Sequence, residues 1–291
     1  MRAEPIKVTI ARLAKYGYKS IEISGEPEQF GQNGSKDTKK LLDDHGLKCW
    51  GSVTLMLGER NLVAADRGQR AKSVQYTKDC ITMVKELDGY EMTIVPATVG
   101  KIVADATPEE EWKWAVESMK EIYEHSEKAG VRLAIEPLNR FETYFINRAE
   151  QAMALAEATG PNCGVCLDAF HINIEEADIY EAIRSTKGRL TDFHVADNNR
   201  MPAGHGDYDW KKVISTLKSI GYDGALTAEF VAPIDRTPAN HYKNALETNF
   251  ENVDISPEQL KFIIDHGSNV LTESFYDWLV EENAKHLLPL I

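Results

Sequence analysis

The stretch SGEPEQFGQNG (residues 24–34) follows the first strand-like run of the chain, SIEIS (20–24), and it decides between two folds. An open, doubly wound α/β sheet announces itself at this place with a Gly-rich turn that presents backbone N–H groups to a phosphate. SGEPEQFGQNG is not such a turn. Outward from it, apolar runs recur: KCWGSVTL (48–55), MTIVPA (92–97), RLAIEPL (132–138), GVCLDAF (164–170), LTDFHVAD (190–197) and GALTAEF (224–230). Segments of helical spacing lie between them. IKVTIARLAKYG puts Ile6, Ile10, Leu13 and Ala14 on one face and ends at Gly17. TPEEEWKWAVESMKEIYEHSEKAG opens on Thr107 as cap and Pro108 at the first helical position, with acids in the first turn, and ends at Gly130. Strands alternating with helices imply parallel βαβ units.

The pattern predicts a (β/α)8 TIM barrel whose first strand is short or missing. Seven strands are visible, and the eighth would precede residue 5, so either the start of the chain lacks it or Met1–Pro5 forms a vestigial edge strand. The 291 residues are read as one barrel domain, with residues 231–291 forming a long Pro-containing loop and a C-terminal helical extension. The loop leaves from the C-terminal end of a strand, the face on which barrel enzymes place their sites.

A hydrophobic content of 43% and a charged content of 27% are those of an ordinary globular protein. The formal net charge of -13 argues against nucleic acid and anionic membranes as partners, since both are bound through clustered Lys and Arg. The N-terminus has no apolar signal core, and a cytoplasmic protein is expected. Cys163 and Cys166 share a C-x-x-C spacing, but no second pair completes a zinc site, and buried reduced thiols are expected. The apolar ending HLLPLI predicts docking on the barrel or a subunit contact.

Four polar side chains fall at four successive strand ends: Glu136 in AIEPLNRFE, Asp168 in CLDAFH, His194 in DFHVAD and Glu229 in LTAEF. They are 32, 26 and 35 residues apart, each close to one βα unit. One strand-end acid alone is turn chemistry, and one His alone is a satisfied core residue. Three buried carboxylates around one imidazole repel unless a cation sits between them. That donor set suits one divalent ion of the Mn²⁺, Mg²⁺ or Co²⁺ kind, with Mn²⁺ favoured. Glu142, His171 and Arg200 follow at short intervals and complete a pocket. Trp50, His205, His241 and Tyr242 are weaker candidates; AGHGDYDW (203–210) reads first as a turn and a helix cap.

On IEPLNRFE, CLDAFH, FHVADNNR and the Glu of TAEF, the chain resembles the xylose-isomerase-like TIM-barrel superfamily, and within it the D-tagatose and D-psicose 3-epimerase group. The resemblance implies that Glu136, Asp168, His194 and Glu229 hold one catalytic divalent metal. It implies that Glu142, His171 and Arg200 bind the sugar's hydroxyls and carbonyl. The expected chemistry is proton abstraction beside the ketone of a keto-sugar through a metal-bound enediolate, with Glu136 and Glu229 as the acid/base pair. Aldose–ketose isomerisation would use the same parts. GSVTLMLGERN, FHVADNNRMPAGHG and EFVAPIDRTP are also similar to the large subunit of bacterial C-glycoside deglycosidases, which cleave 3-oxo-glucosides with a small β-rich partner. That alternative would use the segment 231–255 for an aryl group or for the partner. The expected partners are thus a sugar or sugar conjugate, and either further copies of the chain or a small subunit. A three-zinc nuclease is disfavoured, because CWGSVTL and IVPATVG carry no His at their ends.

Overall fold

The computed structural model describes residues 4–30, 34–231, 237–243, 257–265 and 270–291, apart from some side chains inside two helices. Seven parallel strands form one sheet in chain order: β1 (Ser20–Ser24), β2 (Lys48–Val53), β3 (Glu91–Ile94), β4 (Arg132–Ile135), β5 (Gly164–Asp168), β6 (Leu190–Val195) and β7 (Ala225–Ala228). Each adjacent pair is joined through helical segments, and the sheet curls into a nearly closed α/β TIM barrel. The outward side chains of the strands, among them Met92, Ile94, Leu133, Ile135, Val165 and Phe193, are buried against the helices. Burying each such side chain contributes ~1.5–3 kcal/mol. The longest helix, Pro108–Ala129, has the predicted boundaries. Thr107 and Glu110 form a reciprocal capping box, and Gly130 closes the helix in the left-handed conformation at φ 73°.

Among the described residues, β1 pairs only with β2 and β7 only with β6, so a seam separates the two edges. Glu4 and Pro5 form no strand; Glu4 instead pairs with Arg12 on the first helix, Ile6–Lys15. Met1–Ala3 lie outside the described residues. The helix Glu273–Leu287 braces the two sides of the seam. Its Asp277 pairs with Arg12 (2.5 Å) and Lys15 (2.7 Å) of the first helix. Its Asn283 donates to Tyr18 Oη (3.1 Å) and accepts from the backbone N–H of Ala203 (3.2 Å), in the loop that follows β6. The helix Pro257–Asp265 precedes it, and most of the segment 231–255 lies outside the described residues. Leu287 of the C-terminal HLLPLI is buried in the main core, whereas Leu288 and Ile291 stay exposed. Among the described residues no helix is long and apolar enough to cross a membrane.

The interior of the barrel is polar, where barrels of this type usually stack branched aliphatic side chains. Thr93 on β3 donates to Glu22 on β1 (3.0 Å), and Thr227 on β7 lies 2.9 Å from both oxygens of Asp192 on β6. On β2 the β1–β2 register slips past Trp50, so Glu22 faces Gly51. A Cβ on Gly51 would stand 2.1 Å from the carbonyl oxygen of Glu91 on β3, which only backbone movement could relieve. Gly51→Ala is therefore expected to lower the unfolding free energy by ~1–3 kcal/mol, the range of over-packed cores. A urea midpoint unchanged from the wild-type protein would show that β2 and β3 part without cost.

Candidate active site

The four strand-end residues come together at the C-terminal mouth of the barrel. Asp168 is the last residue of β5, and His194 is its ladder neighbour on β6. Glu136 and Glu229 each lie one residue past their strands, held by backbone hydrogen bonds to Ile94 and Val195 of the preceding strands. One ligating atom from each of the four lies within 4.8 Å of the others. His194 Nδ1 is 2.9 Å from Glu229 Oε2 and 3.3 Å from Glu136 Oε1. Glu136, Asp168 and His194 are buried, while the side chain of Glu229 is 33% open to the cavity.

The donor set fits a divalent ion. Three carboxylates and one imidazole nitrogen converge in a low-dielectric space, where only a cation makes their joint ionisation favourable. Cys166 also points toward Glu136 and His194. Burial pushes its thiol well above the usual range, and the hard oxygen donors outnumber it. All four cysteines are buried and free, as the sequence suggested.

Electrostatics separate the two glutamates that flank Nδ1. Burial raises Glu136 to about 7, against the pull of His194. Burial also opposes ionisation of Glu229, but Arg200 and the hydrogen bond with His194 outweigh it and hold this carboxyl well below its ordinary value. Asp168, raised by burial to about 7, has two engagements. Its Oδ1 caps the helix Ala169–Glu175 at the N–H of Phe170 (2.7 Å), and its Oδ2 accepts from Arg200 Nη1 (2.9 Å). The turn chemistry and the site residue are thus one side chain.

Arg200 reaches this position from a strained loop. Its φ of 62° is left-handed, which costs a non-glycine residue on the order of 1–2 kcal/mol. The loop is tied around the buried carboxylate of Asp197. That group accepts from the N–H groups of Asn198 (3.0 Å), Gly204 (2.9 Å) and Tyr208 (3.1 Å) and from Trp210 Nε1 (3.0 Å). A Cβ at Gly206 would come within 2.2 Å of Asp197 Oδ1, which explains the glycine in AGHGD. Asp209 caps the next helix at Lys212 N (3.0 Å). His205 turns away from the site to Glu282 (3.1 Å) and Trp278, so the turn-and-cap reading of this run holds.

His171 stands in the first turn after Asp168, and it is buried rather than leaning in from the rim. Its Nδ1 lies 3.2 Å from the backbone N–H of Asn139, and its other ring nitrogen also faces a donor, so the neutral ring accepts from one of the two. Nε2 faces Arg200 Nη2 (3.1 Å) and Asp168 Oδ2 (3.7 Å). Burial and the nearby Arg200 push His171 well below its ordinary value, which keeps it neutral. Asn139 Nδ2 also donates to Glu142 Oε1 (2.8 Å), linking Glu142 to the same group.

Glu136, Glu142, His171, Arg200 and Glu229 line a cavity of about 940 Å³ that also takes in Leu55, Leu138, Phe170 and Phe230. The cavity continues past Glu22 along the facing edges of β1 and β7 to Leu287 and Leu288. Trp50 is not part of its wall; it packs on Tyr90 at a ring separation of 5.0 Å, a packing residue rather than a surface for the sugar. Tyr242 packs on Trp278 and Phe275, and His241 is exposed; neither lines the cavity. Sequence reasoning missed Glu22 and Asp192, which approach His194 from below. The signal available was their position on alternate residues of strands that are buried on both faces.

A family model described as xylose isomerase-like TIM barrel matches residues 10–253. D-psicose 3-epimerase of Ruminiclostridium cellulolyticum is 30% identical over 234 residues, covering 77% of this chain and 77% of that protein. L-ribulose 3-epimerase of Mesorhizobium japonicum is 29% identical over 223 residues, covering 76% and 74%. The crystal structure of D-allulose 3-epimerase from Methylomonas sp. in complex with D-allulose aligns with a TM-score of 0.81 at 23% identity. It covers 98% of this chain and 91% of that one, a likeness of fold.

Proposed function

The chain belongs to the xylose isomerase-like TIM barrel family, and on that premise we propose that it is a divalent-metal-dependent ketose 3-epimerase with Mn²⁺ as its natural ion. The observation that carries the reading is the pair of carboxylates, Glu136 and Glu229, that flank His194 Nδ1 at 3.3 and 2.9 Å. Its relatives named above act on ketoses at C3.

Glu136, Asp168, His194 and Glu229 would hold the ion. Bound there, it would supply a Lewis acid beside the ketose carbonyl and make the neighbouring C3 proton more acidic. Glu229, ionised beside Arg200, removes that proton from one face of C3. Glu136, on the other side of Nδ1, returns a proton to the other face and inverts the carbon. In the reverse direction the two exchange roles. His171 and the planar guanidinium of Arg200 face the sugar oxygens, while Leu55, Leu138, Phe170 and Phe230 keep bulk water from the reacting carbon.

The test is incubation of the Mn²⁺-loaded protein with D-fructose, D-psicose or L-ribulose in D₂O. The expected product is the C3 epimer carrying deuterium at C3. Absence of both epimer and exchange with all three ketoses would overturn the reading. The C–C lyase reading gains nothing from the relatives named above, all of which are epimerases, and the segment meant to carry it lies mostly outside the described residues.

His171 and Arg200 give a further check. His171→Ala is expected to lower kcat/KM by roughly 10–150-fold, the equivalent of one hydrogen bond to a charged group at ~1.5–3 kcal/mol. Mn²⁺ affinity should stay near that of the wild-type protein, since His171 contacts a ligand only at 3.7 Å. Arg200→Ala should lower kcat/KM as much and also weaken Mn²⁺ binding, because Arg200 fixes Asp168. Unchanged kcat/KM in both variants would remove them from the site.

A further inference from the structure

The two nitrogens of His194 face different neighbourhoods. Nδ1 faces Glu136 and Glu229 at the mouth of the barrel. Nε2 faces down into the barrel, where Glu22 Oε2 lies at 3.2 Å and Asp192 Oδ2 at 3.7 Å. It is fully enclosed and makes no aligned hydrogen bond in the present ring orientation. A neutral imidazole has one N–H and one lone pair, and it can offer Nδ1 to a metal only if its proton is on Nε2. A proton on Nε2, in turn, needs an acceptor inside the barrel.

The two candidate acceptors are not equivalent. Both oxygens of Asp192 are within 2.9 Å of Thr227 Oγ1, and Oδ1 accepts as well from the N–H of Phe193 (2.7 Å). Glu22 is held at one oxygen only: Oε1 accepts from Thr93 (3.0 Å), which leaves Oε2 turned toward Nε2. Glu22 is also the nearer of the two by half an ångström.

We infer that Glu22, on β1, is a positioning residue for His194, accepting its Nε2–H so that Nδ1 is presented as a metal ligand. Thr93 orients Glu22 in turn, so the support runs from β3 through β1 to β6. The inference rests on the metal-site reading of Proposed function and adds to it a residue outside the four ligands. Partners of this kind fix the tautomer and ring angle of a ligating His, and losing one typically costs 10–100-fold in metal affinity.

The experiment titrates metal-free protein with Mn²⁺ by calorimetry and reads the ring nitrogens of His194 by ¹⁵N NMR in the Mg²⁺-loaded state. Glu22→Ala is expected to bind Mn²⁺ 10–100-fold more weakly. Glu22→Gln, whose amide oxygen still accepts, should recover most of that loss. Thr93→Val keeps the carboxylate but frees it, and should weaken binding several-fold; it decides the matter if Glu22→Ala does not fold. The wild-type spectrum should show the proton on Nε2. Wild-type affinity in folded Glu22→Ala, or in Thr93→Val where Glu22→Ala does not fold, overturns this inference and leaves the site reading standing. Failure of the wild-type protein to bind Mn²⁺ at all overturns both.

Discussion

Glu229→Gln, saturated with Mn²⁺, is expected to epimerise ketoses at least ~100-fold more slowly than the wild-type protein, and Glu136→Gln likewise. Glutamine keeps the size and one acceptor oxygen but cannot take a proton, and a positioned general base contributes ~10²–10⁴-fold. The two losses should differ in kind. If each carboxylate serves one face of C3, removing one leaves the other able to exchange the C3 proton of one epimer with solvent. Each variant should then label one epimer from D₂O without converting it, and the two should label opposite epimers. Near-normal turnover of metal-saturated Glu229→Gln would remove Glu229 from proton transfer and leave it at most a ligand.

Chelation is expected to abolish turnover and to lower Tm by roughly 5–10 °C, with both restored by Mn²⁺. A ligand held at a hundred times its Kd stabilises a fold by ~2.7 kcal/mol, and a protein of this size gives up about 2–4 °C per kcal/mol. The Mn²⁺ affinity should also fall as the pH drops from 7 to 5. Burial raises Glu136 and Asp168 to about 7, so below that pH the ion has to displace a proton from each. The sign is that of proton competition: raising the pH strengthens binding. Protein without stoichiometric metal by elemental analysis, and with activity untouched by chelator, would sink the metal reading.

The alternation of strands and helices was legible because parallel strands buried on both faces read as plain apolar runs, each closed by turn residues. The four residues at the mouth were legible because a βα unit has a narrow range of lengths, which puts strand ends at recurring intervals. Glu22 and Asp192 were not. In SIEIS and LTDFHV an acid at alternate positions reads as the solvent side of a half-buried strand, yet here that side is the inside of a barrel. The setting of Trp50 was not legible for a related reason. A register slip, invisible in KCWGSV, carries it onto Tyr90 instead of into the cavity. The left-handed backbone of Arg200 had no signal either, since it is set by how Asp197 gathers N–H groups from residues up to 11 positions away. The edge strand considered for Met1–Pro5 is not formed at Glu4 and Pro5, where an ion pair with Arg12 takes the acid elsewhere.

Among the described residues, the seam between β1 and β7 makes the sheet a ribbon rather than a ring. In a ring every strand is gripped from two sides; a ribbon has two ends, and they are the first parts to work loose. Both ends here carry a wall of the site, Glu22 on β1 and Glu229 one residue beyond β7. Slack at the seam therefore arrives at His194 as slack in its neighbours on both sides. The helix Glu273–Leu287, through Asp277 and Asn283, ties the segment before β1 to the loop that follows β6, across that seam. The tautness of the reaction centre is thus set in part by a helix far along the chain that contributes no atom to it.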